Sequence, residues 1–166
     1  MQADCYAGSM ANVIRKYGTK TAIAIVIVFA GIQLVPLGQA HANPPVTAEP
    51  AWNSPQTRAL FQRACFDCHS NQTQWPWYAH VAPMSWLLLR DVDGGRSHLN
   101  FSQWNLPQRH AGDVAQEVSS GAMPLWFYLP MHPAARLSAA EKQALIAGAA
   151  ASLGPQQPPR PAGAGH

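Results

Sequence analysis

The sequence predicts a small all-α domain behind an N-terminal hydrophobic helix, and three observations carry that prediction. Apolar residues recur at helical spacing in short stretches, two of which open on clear helix-start signals. No stretch alternates apolar and polar residues for long enough to make a strand. Ahead of these stretches stands one long uncharged run.

That run, TAIAIVIVFAGIQLVPL over residues 21–37, holds seventeen residues. Arg15, Lys16 and Lys20 precede it, and no basic residue follows until Arg58. The asymmetry keeps the N-terminus in the cytoplasm and sends the rest of the chain across a membrane. A spanning helix needs about 20 apolar residues, with about 17 as the lower end. Signal-peptide cores run to about 15, and Ala40-His41-Ala42 has the small-x-small form of a cleavage site. The run lies between the two classes. It reads as a single N-terminal anchor, with a soluble periplasmic form after cleavage near Ala42 as the alternative. A buried core helix fits poorly, because the run has no polar face.

Asn43-Pro44-Pro45 opens an extended linker, since proline fixes its own backbone and turns its predecessor away from helix. A helix follows with Ser54 as N-cap and Pro55 at its first position. Its apolar positions are Ala59, Leu60, Ala64 and also Phe61, and it leads straight into Cys65. A second helix is expected over 84–92, ending at Gly94-Gly95, and a third over 109–119, stopping at Gly121. The last has the clearest start: Ser138 and Glu141 form a capping box, and the pattern runs to Leu153-Gly154.

Charged residues are only 11% of the chain, proline occurs 15 times, and all six tryptophans lie between Trp52 and Trp126. Short helices joined by long loops pack poorly alone. A large flat apolar cofactor at the centre would resolve that difficulty. The net charge of +3 divides as +2 over residues 1–42 and +1 over the remainder, with no basic stripe, so nucleic acid is excluded as a partner.

Cys65-Phe66-Asp67-Cys68-His69 is CxxCH, the attachment signature of c-type haem. Thiols two residues apart reach the two vinyl groups on one porphyrin edge, and the following histidine supplies an axial nitrogen. Zinc would want a second ligand pair, and there is no second CxxC; His80, His98 and His110 form no partner motif. A thioredoxin-like pair needs a βαβ setting that is missing. The cofactor expected is therefore one covalent haem c on Cys65, Cys68 and His69.

Met123, in Gly121-Ala122-Met123-Pro124, is the first choice for the second axial ligand. It follows a predicted helix, stands fifty-four residues after His69 and precedes the C-terminal helix. That order matches small monohaem cytochromes c, whose Met/His ligation raises the potential and suits electron transfer. Met131, Met84, His80 and His132 are rivals. The cluster Trp75-Pro76-Trp77-Tyr78 reads as a packed loop wall, or else as a donor to a haem propionate. Arg90 and Arg96 are further candidates to pair with a propionate, and Asp67 is expected to face solvent.

Taken together, these residues resemble the bacterial haem-binding domain family. The resemblance runs from the hydrophobic segment to about Leu153. It is carried by Asn43-Pro44-Pro45-Val46, Cys65 to Ser70, Trp75-Pro76-Trp77-Tyr78 and Ala82-Pro83-Met84-Ser85-Trp86. Further on it is carried by Gly95-Arg96, Leu99-Asn100-Phe101-Ser102-Gln103-Trp104, Ser120-Gly121-Ala122-Met123-Pro124 and His132-Pro133. It implies a covalent c-type haem, a place outside the cytoplasm and an N-terminal membrane segment.

The expected organisation is a cytoplasmic segment 1–20, a hydrophobic segment 21–37, a linker 38–51, a cytochrome c-like haem domain 52–153 and a disordered tail 154–166. The expected role is a monohaem electron carrier on the periplasmic side of the inner membrane, not an enzyme, serving a redox partner that the sequence does not identify. The alternative is a haem-based sensor or ligand-binding module whose sixth ligand is open or displaceable. A peroxidase-type enzyme is a third possibility, and would need a distal acid–base residue such as His80 or His132.

Overall fold

The structure is a computed structural model that describes residues 2–36 and 41–154, so the tail expected over 154–166 lies almost wholly outside the described residues. The chain divides into two units, one made of residues 1–40 and 76–88 and the other of residues 41–75 and 89–166. Among the described residues there is no strand, and the expectation of an all-α chain holds.

In the first unit, α1 runs from Gln2 to Ile32. The hydrophobic segment expected over 21–37 is helical only to Ile32 and breaks into turns before Pro36, whose ring turns its predecessor away from helix. The uncharged end of α1, Thr21–Ile32, covers about 18 Å at ~1.5 Å per residue, against a hydrocarbon core of ~30 Å. Among the described residues no helix is long and apolar enough to cross a membrane, which corrects the expected spanning helix. Just beyond α1, the Gln33 amide grips one backbone position. Its Nε2 donates to the Ala82 carbonyl at 3.1 Å, and its Oε1 accepts the Ala82 N–H at 3.0 Å. A 3₁₀ turn, Trp77–His80, and the first residues of α4 (Met84–His98) complete this unit.

The second unit holds the remainder of α4 with α2 (Pro55–Ala64), α3 (Phe66–His69), α5 (Val114–Ser120) and α6 (Ala139–Ser152). Ser54 caps α2, its hydroxyl accepting the Thr57 N–H, and Pro55 takes the first position, as the sequence predicts. The capping box of α6 is complete in both directions between Ser138 and Glu141. Gly121 ends α5 with φ 80°, a left-handed conformation that glycine adopts without a Cβ clash.

Three expectations change. Helix α4 continues through Gly94-Gly95 to His98, because Gly95 lies against the backbone of Cys68, where a Cβ would collide with the Cys68 carbonyl oxygen. Helix α5 starts five residues later than expected, behind a 3₁₀ turn at Ala111–Asp113. In α2 the buried side chains are Thr57, Phe61 and Ala64, while Ala59 is exposed.

The core is aromatic as well as aliphatic. Phe61, Phe66 and Phe101 are buried with Leu99, Val114, Val118 and Leu145, and Trp52 and Trp104 pack against them. The Phe66 and Phe101 rings stack at 5.7 Å, and Trp104 stacks on Phe101 at 6.1 Å. Helix α6 crosses α2 closely because Gly148 offers only a hydrogen to Thr57. The proline-bearing stretch before α2 is extended, and its backbone binds residues 102–104. Thr47 N–H donates to the Ser102 carbonyl at 2.9 Å, and Trp104 N–H to the Ala48 carbonyl at 3.0 Å.

Candidate functional site

Helix α2 ends at Cys65, and α3 is one turn made of the remaining motif residues, Phe66 to His69. The apolar Phe66 of this turn is buried in the core. Cys65, Asp67, Cys68 and His69 line one cavity of about 500 Å³, within the ~300–1,000 Å³ usual for bound small molecules and cofactors. Ala64, Leu99, Phe101, Val114 and Val118 give it apolar walls.

His69 is held in one tautomer. Its Nδ1 lies 3.0 Å from the Leu99 carbonyl oxygen, which can only accept, so Nδ1 carries the proton and Nε2 keeps its lone pair. Burial pulls the imidazole below its ordinary value, against the opposing hydrogen bonds to the backbone at Leu99 and Gly95. Neutral imidazole is the form that ligates a metal.

A buried polar net fixes that carbonyl. Phe101 N–H donates to the His69 carbonyl at 2.8 Å, and Asn100 Nδ2 donates to Asn71 Oδ1 at 2.9 Å. Asn71 N–H donates to Ser102 Oγ at 2.9 Å, and Ser102 N–H to Asn100 Oδ1 at 2.9 Å. Asn71, Asn100 and Ser102 are all buried, so each bond counts for more than it would at the surface. On the other flank, Gly95 lets α4 approach the Cys68 backbone.

The two thiols are half-buried, and desolvation pushes both up to about 12. At Cys68 the neighbouring Asp67 and Asp91 carboxylates add to the rise. Both cysteines therefore stand as neutral thiols near neutral pH in the absence of a bound group.

Met123 reaches the same cavity. Its N–H donates to the Glu117 carbonyl at 3.1 Å just beyond the Gly121 turn, and Pro124, Leu125 and Tyr128 line the wall with it. Of the rivals in the same unit, Met131 and His132 are absent from the lining. His132 stacks on Tyr128 instead, with ring centroids 3.7 Å apart.

The structure also separates the remaining candidates. Arg90 lines the cavity. Arg96 is spent elsewhere, donating to the carbonyls of Ser70 and Ala42, to Asn43 Oδ1 and to Thr73 Oγ1. It ties the chain before α2 to the loop after α3. Trp75, the residue of the cluster 75–78 that belongs to this unit, is absent from the lining. Asp67 is half-buried on the wall and accepts the Tyr128 hydroxyl at 2.7 Å, which corrects the expectation that it faces solvent.

Sequence reasoning named His98 and His110 only as possible zinc ligands and set them aside. His98 and His110 both line the cavity with ring centroids 5.3 Å apart, and His110 Nδ1 pairs with Asp113 Oδ2 at 2.9 Å. Their separation in sequence gave no signal; their meeting depends on where α4 ends. It also missed Leu99 as the acceptor for His69, which no side-chain motif can announce.

Two thiols, an imidazole with a free Nε2 and a thioether thus line one largely apolar cavity. This donor set fits an iron porphyrin, with soft sulfur and imidazole for the iron and apolar walls for the ring. A family model described as a haem-binding domain matches residues 27–151. Comparison with curated proteins and with solved structures finds no match.

Proposed function

Because the chain belongs to the haem-binding domain family, we propose that it is a monohaem, cytochrome c-like electron carrier working on the periplasmic side of the inner membrane. In this reading Cys65 and Cys68 would hold the haem as thioethers, and His69 Nε2 and Met123 would ligate its iron. The observation that carries it is the fixed tautomer of His69 within a cavity that the two cysteines and Met123 share. The bound group would supply a one-electron iron couple. The chain's own residues orient the imidazole through the Leu99 carbonyl, wall off water with Phe101, Val114 and Val118, and offer Arg90 to a propionate.

The basic residues ahead of the apolar run support export, and the N-terminal segment is the device that delivers the chain. Cell fractionation with intact-mass analysis tests this: a periplasmic protein with a mature N-terminus after Ala42 supports it, and an uncleaved cytoplasmic chain overturns it.

A second reading, a sensor with a displaceable sixth ligand, is favoured by one observation. His98 and His110 line the same cavity as Met123 and are further nitrogen donors there. The deciding measurement is carbon monoxide binding to the ferrous holoprotein at neutral pH, beside a midpoint potential. Slow, weak binding with a potential in the range of Met/His cytochromes supports the carrier. Immediate saturation binding by the unmodified protein overturns it in favour of the sensor.

A further inference from the structure

Asp67 stands between the two cysteines of the motif, where attachment of a porphyrin asks for no carboxylate. Both of its oxygens are engaged. Oδ2 accepts the Tyr128 hydroxyl at 2.7 Å, and Oδ1 accepts the Gln74 backbone N–H at 3.0 Å. Its carbonyl accepts Thr73 Oγ1 at 2.7 Å, so the carboxylate projects from a braced turn.

Tyr128 sits five residues beyond Met123, in the segment that leaves α5 at Gly121. Its ring lies nearly parallel to that of His132, 9° between planes, and its carbonyl accepts His132 Nδ1 at 3.0 Å. The segment also makes local bonds, Met123 N–H to the Glu117 carbonyl and Tyr128 N–H to the Leu125 carbonyl. The tyrosine hydroxyl is different in kind. It spans 61 residues of sequence and joins the segment that carries Met123 to the turn that carries His69.

We propose that Tyr128 is a positioning residue for the sixth iron ligand, its hydrogen bond to Asp67 latching the Met123 segment onto the haem-binding turn. The inference rests on the His69/Met123 reading above. An O–H donated to a carboxylate is shorter and stronger than a neutral pair, and here it is half-buried. Opening of the latch must precede displacement of Met123, so the bond sets how easily an outside ligand enters.

The test uses ferric holoprotein titrated with imidazole, which competes with a methionine ligand, followed by the far-red charge-transfer band of iron–methionine ligation. Tyr128→Phe keeps the ring and its stack on His132 and removes only the hydroxyl. The apparent imidazole affinity should rise about tenfold, as expected for loss of one charge-assisted bond. Asp67→Ala should match it, Asp67→Asn, which keeps an oxygen acceptor, should give a smaller rise, and the double variant should add little to either. A bond with a merely structural role would lower resistance to denaturant and leave the imidazole titration where it was. Tyr128→Phe titrating like the unmodified protein, or two changes that add independently, overturns the latch while leaving the carrier reading intact. A missing far-red band in the unmodified protein overturns both.

Discussion

Gly94 and Gly95 are neighbours in α4, yet a methyl group has opposite consequences at the two positions. At Gly94 an added Cβ meets nothing within 4 Å. Replacing glycine by alanine in a helix interior gains up to ~1 kcal/mol, so Gly94→Ala should stabilise the domain by about that amount. At Gly95 the same carbon would collide with the Cys68 carbonyl oxygen and lie 2.9 Å from its carbonyl carbon and 3.1 Å from its Cβ. Backbone atoms cannot rotate away, so either α4 or the CxxCH turn must move. Overpacking of this kind costs ~1–3 kcal/mol, and subtracting the same helical gain leaves a net loss of up to ~2 kcal/mol. The two variants should therefore differ by ~1–3 kcal/mol, which for a domain of this size separates their thermal midpoints by several degrees at ~4–8 °C per kcal/mol. Guanidinium denaturation of the two apoproteins, in which no bound group faces the Gly94 methyl, followed by tryptophan emission, measures the difference. Equal stabilities, or Gly95→Ala as the more stable, would refute the claim that Gly95 is there for close approach to the haem-binding turn.

Other consequences are smaller or simpler. Gly148→Ala would bring a methyl within 2.5 Å of Thr57 Cγ2 and 2.6 Å of its Oγ1, so it should destabilise by ~1–3 kcal/mol; a Thr57→Ala background should remove at least half of that in a double-mutant cycle. Ser138→Ala removes the hydroxyl of the α6 capping box and should cost about 1 kcal/mol, read as a lower denaturation midpoint with an unchanged slope. Glu49 is drawn from about 4.5 down to about 2, chiefly by its hydrogen bond from Arg58, then by those from Trp52 and Gln72, against the opposing effect of burial. A carboxylate lowered by folding stabilises fully above its unfolded value and loses that contribution as pH falls toward 2. Stability measured between pH 5 and pH 2, on the order of that window, should thus fall less steeply in Glu49→Gln than in the unmodified protein.

Part of this architecture is legible in the sequence for local reasons. Ser54-Pro55 and the Ser138/Glu141 box announce α2 and α6 because a cap is satisfied within four residues of chain. Gly121 announces the end of α5 because only a residue without Cβ takes φ 80° freely. The CxxCH run and Met123 are visible as chemistry, and the fold brings them to one cavity. What local rules miss is decided by tertiary contact. Gly94-Gly95 reads as a helix stop, yet α4 runs on because Gly95 is needed against Cys68. Asp67 reads as a surface acid until Tyr128 arrives from 61 residues away. Arg96 reads as a propionate partner until its four acceptors are seen along the chain that flanks the site.

The attachment itself is open to a single comparison: intact mass and a reduced pyridine haemochrome spectrum, taken after denaturation, of the protein matured with a c-type haem system. The same is done for Cys65→Ala/Cys68→Ala. The account predicts one haem retained through denaturation with a two-thioether spectrum, and none retained by the double variant. A protein that releases its haem on denaturation, or a double variant that keeps it, would contradict covalent attachment at Cys65 and Cys68.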